Sequence, residues 1–139
     1  MYRLKGLASV LLLALSCGPE TSFIVDSHLI CNAEVDGMAF HADMSGSRHS
    51  ENECRGAGKC WGKEIPYEPG ILSILRCTYV PVDEEQAGSE MQDMGNGRCE
   101  SEEGFIQVNR EEASAVVSYN GIEQPMKCTA STHYRDEHG

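Results

Sequence analysis

The sequence predicts an all-β fold: a small antiparallel β-sandwich or barrel of about six strands, stapled by three disulfides. Two observations support this fold class. Apolar and polar residues alternate in several short runs, and Asp-Gly or Asn-Gly dipeptides separate two pairs of these runs. In addition, 7 cysteines in a chain of 139 residues are typical of a domain that forms disulfides outside the cytosol.

The first strand pair is expected on either side of Asp36-Gly37. A two-residue turn pairs residue 35 with residue 38 and, further along, residue 29 with residue 44. The side chains on the shared face are all apolar or Cys: Leu29, Cys31, Ala33, Val35, Met38, Phe40, Ala42 and Met44. Because a shift of one residue would turn all of them to solvent, the pattern fixes the register of this hairpin.

Later strands are expected at residues 71–80 and 105–109, and a second hairpin joins residues 115–119 to residues 122–129 through an Asn-Gly turn. The expected register pairs Tyr119 with Ile122, Val117 with Gln124, Ala115 with Met126 and Ala113 with Cys128. Pro125 cannot donate a hydrogen bond to a neighbouring strand, so the last strand is expected at the edge of a sheet.

Two segments lack strand character. Residues 45–70 are rich in Gly and Ser, and residues 81–103 form a long acidic connector that has room for one helical turn near Glu84–Met94. A solvated run of charges is one interpretation of this connector. The functional interpretation is a binding surface that attracts a cationic partner. Its candidate residues are Asp83, Glu84, Glu85, Glu90, Asp93, Glu100, Glu102 and Glu103.

The first 16 residues predict a signal peptide. Arg3 and Lys5 precede an apolar run over Leu7–Leu15, which is about half as long as a membrane-spanning helix. Leu13-Ala14-Leu15-Ser16-Cys17-Gly18 resembles the lipobox of bacterial lipoproteins, in which the cysteine receives the lipid and becomes the first residue. Cleavage by an ordinary signal peptidase is the alternative. Processing before Cys17 removes two basic residues and no acidic one, so the mature 123 residues carry a net charge of −13.

The mature chain resembles small bacterial lipoproteins with the pattern A-x-V-D-G-x-x-F-x-A, which is met here from Ala33 to Ala42. The closing strands at residues 104–108 and 116–119 are also similar. The resemblance implies a β-sandwich, mostly without an assigned activity. The expected organisation is a signal peptide at 1–16, a tether at 17–27, a disulfide-stapled β-domain at 28–130 and a polar tail at 131–139.

With Cys17 set aside for the lipid, six cysteines remain and can close three disulfides. They are Cys31, Cys54, Cys60, Cys77, Cys99 and Cys128. Six cysteines allow 15 connectivities. The sequence favours Cys54–Cys60, which closes a small loop, and Cys77–Cys99 would staple the acidic connector. A metal site made of His41, His49, Cys54 and Cys60 lacks the paired spacing of zinc ligands, so no metal or cofactor is predicted.

No arrangement of residues predicts an enzyme or a catalytic residue. The chain has no G-x-S-x-G motif. A ribonuclease-like site would need a histidine, a glutamate and an arginine at one phosphate, and His41, Glu68 and Arg76 supply these types without any spacing that links them. His41 is expected on the outward face of the first hairpin, opposite Asn32. Residues 93–97 offer too few carboxylates for a calcium loop.

The expected function is therefore binding, by a protein exported to the cell envelope or beyond it. Negative charge disfavours nucleic acid as a partner, and membrane contact is expected only through a lipid on Cys17. A basic hydrolase such as lysozyme is a candidate partner, because a strongly negative surface attracts cationic proteins. Ser45-Gly46-Ser47 is also similar to a loop with which some small lipoprotein barrels inhibit lysozyme. The alternative is a freely secreted effector or toxin-like protein of a eukaryotic microbe. Arg55-Gly56 within Cys54-x5-Cys60 resembles the opening of small fungal killer toxins.

Overall fold

The computed structural model describes residues 23–50, 65–84 and 88–136. The predicted signal peptide, the lipidation position Cys17, the loop from Cys54 to Cys60 and the acidic residue Glu85 lie outside the described residues. The expectations placed on them therefore remain predictions.

Within the described residues, ten strands form two antiparallel sheets of five strands each. The strands are β1 (Phe23–Val35), β2 (Met38–His49), β3 (Ile74–Pro81), β4 (Ser89–Glu90), β5 (Gln92–Gly95), β6 (Arg98–Ser101), β7 (Gly104–Asn109), β8 (Ser114–Tyr119), β9 (Ile122–Pro125) and β10 (Lys127–Asp136). The first sheet has the order β10-β1-β2-β3-β4, and the second has the order β5-β6-β7-β8-β9. The all-β class is confirmed, with more strands than the six expected.

The hairpin of β1 and β2 has the predicted register, with Val35 opposite Met38 and Leu29 opposite Met44. Asp36 and Gly37 form the turn with φ angles of 51° and 79°, a backbone region that Gly and Asp adopt more readily than most residues. The predicted apolar face of this hairpin lies against the second sheet, and Phe40 is its largest fully buried side chain.

The chain passes between the sheets at two buried methionines. Met91 lies between β4 and β5, and Met126 lies between β9 and β10. The N–H of each methionine still donates to the sheet that the chain is leaving, over 3.0 Å to the carbonyl of Cys77 and over 2.9 Å to the carbonyl of Ala115. The crossing at Met126 leaves β9 at the edge of the second sheet, as the proline in that strand predicted.

Two disulfides link the described strands. Cys77 in β3 and Cys99 in β6 join the first sheet to the second, which confirms the predicted pair. Cys31 in β1 and Cys128 in β10 are direct neighbours within the first sheet. The expectation that Cys128 faces Ala113 is wrong, because the crossing at Met126 carries Cys128 into the other sheet.

The acidic connector is more ordered than the sequence predicted. Residues 89–101 form β4, β5 and β6, with a tight turn at Asn96-Gly97, and the helical turn expected near Glu84–Met94 is absent from its described part. Asn96 and Gly97 have φ angles of 54° and 77°, so this turn has the same left-handed backbone conformation as the turns at Asp36-Gly37 and Asn120-Gly121. The acidic side chains do not prevent pairing because they point away from the core.

Both ends of the predicted domain also extend further. β1 begins at Phe23, inside the predicted tether, and β10 continues to Asp136, inside the predicted polar tail. The extra length is stabilised by a second small core of Phe23, Val25 and Tyr134, which is covered by Ile65 and Ile71 instead of by the second sheet. The tether and tail boundaries were therefore wrong for the parts that pair as strands.

Candidate functional site

The structure distributes the predicted acidic residues over different surfaces. Glu90 in β4 lies on the outer face of the first sheet, opposite Thr78. Glu100 in β6 flanks the buried Cys99 and therefore lies on the outer face of the second sheet. A single continuous acidic face formed by all of the predicted residues is therefore not present among the described ones.

Two of these acidic residues have local structural partners. An oxygen of the Asp93 carboxylate accepts a hydrogen bond from the N–H of Gly95 over 2.9 Å, in the turn between β5 and β6. Glu100 accepts from Nε of Arg98 over 2.6 Å, and the Arg98 guanidinium lies 3.9 Å from the ring centre of Phe105. Both carboxylates are thus occupied by neighbours in their own hairpin.

The remaining acidic residues gather at one end of the sandwich. Val82 donates to the carbonyl of Gly37 over 2.9 Å in the first sheet, and Asn120 donates to the carbonyl of Glu103 over 3.0 Å in the second, so the turns of this end are paired within each sheet. Phe40 of the first sheet packs edge-on against Tyr119 of the second, with ring centres 5.3 Å apart, beneath these turns. We call Asp36, Asp83, Glu84, Glu102 and Glu103 the acidic end.

The acidic end includes one residue, Asp36, that the sequence did not suggest. Asp36 was assigned only a conformational role in the first turn, yet the fold places it beside residues 82–84. The described turns of this end, residues 36–37, 82–84, 102–103 and 120–121, contain no Lys, Arg or His. Their negative charge therefore has no basic neighbour within the turns themselves.

The opposite end of the sandwich contains arginines in specific bonds, and we call it the arginine end. Nε of Arg48 donates to Oε1 of Glu68 and Nη2 donates to Oε2, each over 2.7 Å. The hydrogen bonds from Arg48 lower the pKa of Glu68. Tyr67 donates its hydroxyl to the carbonyl of Arg110 over 2.7 Å, and burial raises the pKa of Tyr67, so this phenol remains a donor.

The histidines share a surface that the sequence did not predict as a whole. His28, His41, His49 and His133 all lie on the outer face of the first sheet, each at or opposite an even-numbered position of β1. The rings of His28 and His133 are stacked with their centres 6.1 Å apart. The prediction for His41 is confirmed: it lies opposite Asn32, and its Nδ1 is 2.7 Å from Oδ1 of that residue.

A cleft of about 320 Å³ lies on this outer face, across β2, β3 and β4. We call it the outer cleft, and its lining residues are His41, Asp43, Arg76, Thr78 and Glu90. Two of the three residues considered for a ribonuclease-like site, His41 and Arg76, therefore meet. Glu68 does not join them, because it is bound to Arg48 at the arginine end. The cleft contains a different glutamate, Glu90 of β4.

The Ser45-Gly46-Ser47 segment is not a loop. It lies within β2, where Ser45 accepts a backbone hydrogen bond from Ser73 over 2.9 Å. A side chain at Gly46 would collide with the backbone of Ile71, and Ser47 donates to Asp26 over 2.5 Å. The expected similarity to an inhibitory loop is wrong in its conformation, because all three residues are part of the sheet.

No three His, Cys, Asp or Glu side chains in the described part of the chain are placed to hold a metal ion together. Two cysteines of the metal alternative, Cys54 and Cys60, lie outside that part. No helix within residues 23–50, 65–84 and 88–136 has the length and hydrophobicity needed to cross a membrane.

A comparison with known protein families finds no match, and neither curated proteins nor solved structures give a similar protein. The features of the described residues that bear on function are the acidic end and the outer face of the first sheet.

Proposed function

We propose that the protein is an exported, non-enzymatic binding protein that holds a cationic partner at its acidic end. We further propose that a lipid on Cys17 anchors it to the cell envelope, in keeping with the resemblance to small bacterial lipoproteins. The observation that carries the binding proposal is the concentration of Asp36, Asp83, Glu84, Glu102 and Glu103 in turns that contain no basic residue.

The disulfides support export. Cys31–Cys128 and Cys77–Cys99 are both formed, and disulfides persist in oxidising compartments such as the periplasm or the cell exterior. Their presence indicates an oxidising compartment, and the lipid anchor is the more specific step of the proposal.

The negative charge of the acidic end would act on the rate and selectivity of binding. Like charges that share a small surface repel one another and reduce stability, while the same charges attract a partner of opposite sign. At the arginine end, by contrast, Glu68 and Arg48 neutralise each other. A cationic partner would therefore approach the acidic end in preference to the opposite end.

The test is binding to a basic lysozyme, used as a cationic probe, at ionic strengths of about 0.01 M and about 0.15 M, where the Debye length is about 30 Å and about 8 Å. The double variant Glu102→Gln, Glu103→Gln is expected to weaken binding roughly threefold to tenfold at the lower ionic strength. The matched control is Glu111→Gln, Glu112→Gln, which removes two adjacent exposed glutamates from the turn at the other end of β7 and β8. The control should change the affinity less than twofold, on the order of the effect of a remote surface charge.

Two outcomes would overturn the binding proposal. The first is no binding of the wild-type protein at low ionic strength. The second is an equal loss of affinity in both double variants, because a general effect of net charge would then explain the result.

Mass spectrometry of the mature N-terminus tests the anchor separately. A diacylated or triacylated Cys17 supports the envelope lipoprotein. An unmodified N-terminus on protein recovered from the culture medium would contradict the anchor and favour the freely secreted effector or toxin-like protein.

A further inference from the structure

The outer cleft contains a buried carboxylate oxygen without a partner. Among the described residues, Oδ1 of Asp43 is the only buried side-chain nitrogen or oxygen atom in this condition. Leaving such an atom unpaired costs free energy, more so when the group is charged, and its presence in a folded protein calls for a ligand, water or ion that completes it. The cleft is therefore the first place to look for a specific ligand.

The natural internal partner of Asp43 does not neutralise it. Arg76 of β3 is the direct cross-strand neighbour of Asp43 and lines the same cleft. Within the described part of the chain, however, Arg76 forms an ion pair with neither Asp43 nor Glu90. Among the described residues, neither carboxylate is therefore neutralised by an ion pair.

The histidine of the cleft adds an acceptor. Nδ1 of His41 lies 2.7 Å from Oδ1 of Asn32, and an amide oxygen can only accept, so Nδ1 carries the proton and donates it. In the neutral imidazole the other ring nitrogen, Nε2, then has a free lone pair. Together with the hydroxyl of Thr78, the cleft offers acceptors on β2, β3 and β4.

We propose that the outer cleft is a subsite for a lysine side chain of the cationic partner, with Asp43 and Glu90 accepting hydrogen bonds from the ammonium group. This proposal rests on the proposed function and names the group that the partner contributes. Two carboxylates and one guanidinium give the cleft a net charge of −1, which one ammonium neutralises. An ammonium has three donors and no acceptor, which suits a cleft whose acceptors come from three strands.

A guanidinium fits this arrangement less well than an ammonium. Its donors lie in one plane and favour two parallel bonds to a single carboxylate, whereas the carboxylates of Asp43 and Glu90 belong to separate strands, β2 and β4. We therefore expect the subsite to prefer lysine to arginine.

The first experiment is an NMR titration of the protein with three small probes. Nα-acetyl-lysine methylamide should shift the backbone amide signals of residues 41–43, 76–78 and 90, while Nα-acetyl-norleucine methylamide, which lacks the ammonium, should not. Inorganic phosphate is the third probe, since Arg76 and His41 are groups that also bind anions. No shift with the lysine probe, or shifts with phosphate that Arg76→Gln abolishes, would overturn the proposal.

Three variants sharpen the titration. Asp43→Asn and Glu90→Gln should each weaken binding of the lysine probe at least tenfold, and Arg76→Gln should tighten it several-fold because a competing cation is removed. Glu90 lies on the two-residue edge strand β4, so this variant remains informative if a change at Asp43 disturbs folding. Unchanged affinity in both carboxylate variants would contradict the proposed subsite.

The failure of this subsite is distinguishable from the failure of the acidic end. Glu102→Gln, Glu103→Gln should bind the lysine probe like the wild type, because these residues lie in the turn between β6 and β7, away from the cleft. If lysozyme binds and the lysine probe does not, the subsite is wrong and the proposed function stands. If the lysine probe binds and lysozyme does not, the acidic end has no role in binding, and the claim that the cleft serves a cationic protein is also wrong.

Discussion

At the acidic end, the described turns carry five acidic residues and contain no Lys, Arg or His, whereas the arginine end is tied together by Arg48, Tyr67 and Arg110. Arg110 also donates to the carbonyl of Leu72, which links the turn after β7 to the segment before β3. At the acidic end the stabilising contacts lie below the surface, in Phe40 and the tyrosines that surround it. Charged and polar side chains therefore stabilise the fold at the arginine end, whereas buried aromatic rings stabilise it at the acidic end.

This difference bears on which end is free to bind a partner. Polar side chains that hold a fold together cannot be exchanged for contacts with a ligand without loss of stability. The carboxylates of Asp36, Glu102 and Glu103 have no such structural bond among the described residues. We therefore expect substitutions at the arginine end to change stability, and substitutions of surface acids at the acidic end to change binding.

The largest expected effect tests the apolar contacts below the acidic end. Phe40 is 2 % exposed, and its ring lies 5.9 Å from that of Tyr79 and 5.3 Å from that of Tyr119. Phe40→Ala should lower the free energy of unfolding by about 3–5 kcal/mol, because it removes buried area and leaves a cavity between the sheets. Denaturant unfolding with a constant m-value measures this loss.

Phe23→Ala is the corresponding substitution in the small core at the arginine end, and its effect on stability is compared with that of Phe40→Ala. Phe23 belongs to the small core with Val25 and Tyr134, where residues 65–71 can move toward the space that is left. The loss should be smaller, about 3 kcal/mol or less. A larger loss for Phe23→Ala than for Phe40→Ala would contradict the view that the acidic end depends most on its buried aromatic residues.

The sequence predicted the first hairpin because two independent signals agreed there. The Asp36-Gly37 turn and the alternation from Leu29 to Met44 require the same register, and a local pattern of this kind needs no knowledge of the second sheet. Cys77–Cys99 was also named from the sequence, as a bridge that would staple the acidic connector, and the structure forms it.

The crossings between the sheets were not predictable in the same way. Nothing in the run of residues 122–129 indicates that Met126 leaves one sheet for the other, because both sheets accept the same alternation of side chains. The outer cleft depends on these crossings, since Glu90 reaches Thr78 only when β4 joins the first sheet before the chain crosses at Met91. The turn at Asn96-Gly97 was a usable signal for the β5–β6 hairpin, and the acidic composition around it concealed the strands.

An intermediate effect is expected for the ion pair at the arginine end. Glu68→Gln keeps the size of the side chain and one acceptor but removes the charge that Arg48 holds, so the protein should lose about 1 kcal/mol of stability at pH 7. Chemical denaturation of both proteins measures the difference. Glu111→Gln is the control, because Glu111 pairs with Arg110 over a longer 3.3 Å and is largely exposed.

The pH dependence of this effect has a defined sign. Arg48 lowers the pKa of Glu68 in the folded protein, so the contribution of Glu68 is fully present above the ordinary glutamate pKa of about 4. It is lost as the pH falls through the lower folded-state value. The stability difference between the wild type and Glu68→Gln should therefore shrink as the pH falls below about 4. A difference that stays constant as the pH falls until both proteins unfold would mean that the charge of Glu68 has no part in it.

The smallest effect on stability is expected at the acidic end itself. Glu102→Gln, Glu103→Gln should raise the free energy of unfolding by no more than about 0.5 kcal/mol at low ionic strength, because the variant relieves repulsion among exposed carboxylates. The gain should disappear at about 1 M salt, where charges are screened over about 3 Å. Thermal unfolding of the variant and the wild type at both salt concentrations measures it. A loss of stability in this variant would mean that the two glutamates hold the turn between β6 and β7. Glu102 and Glu103 would then have a role in folding, and the polar side chains of the acidic end would stabilise the protein as those of the arginine end do.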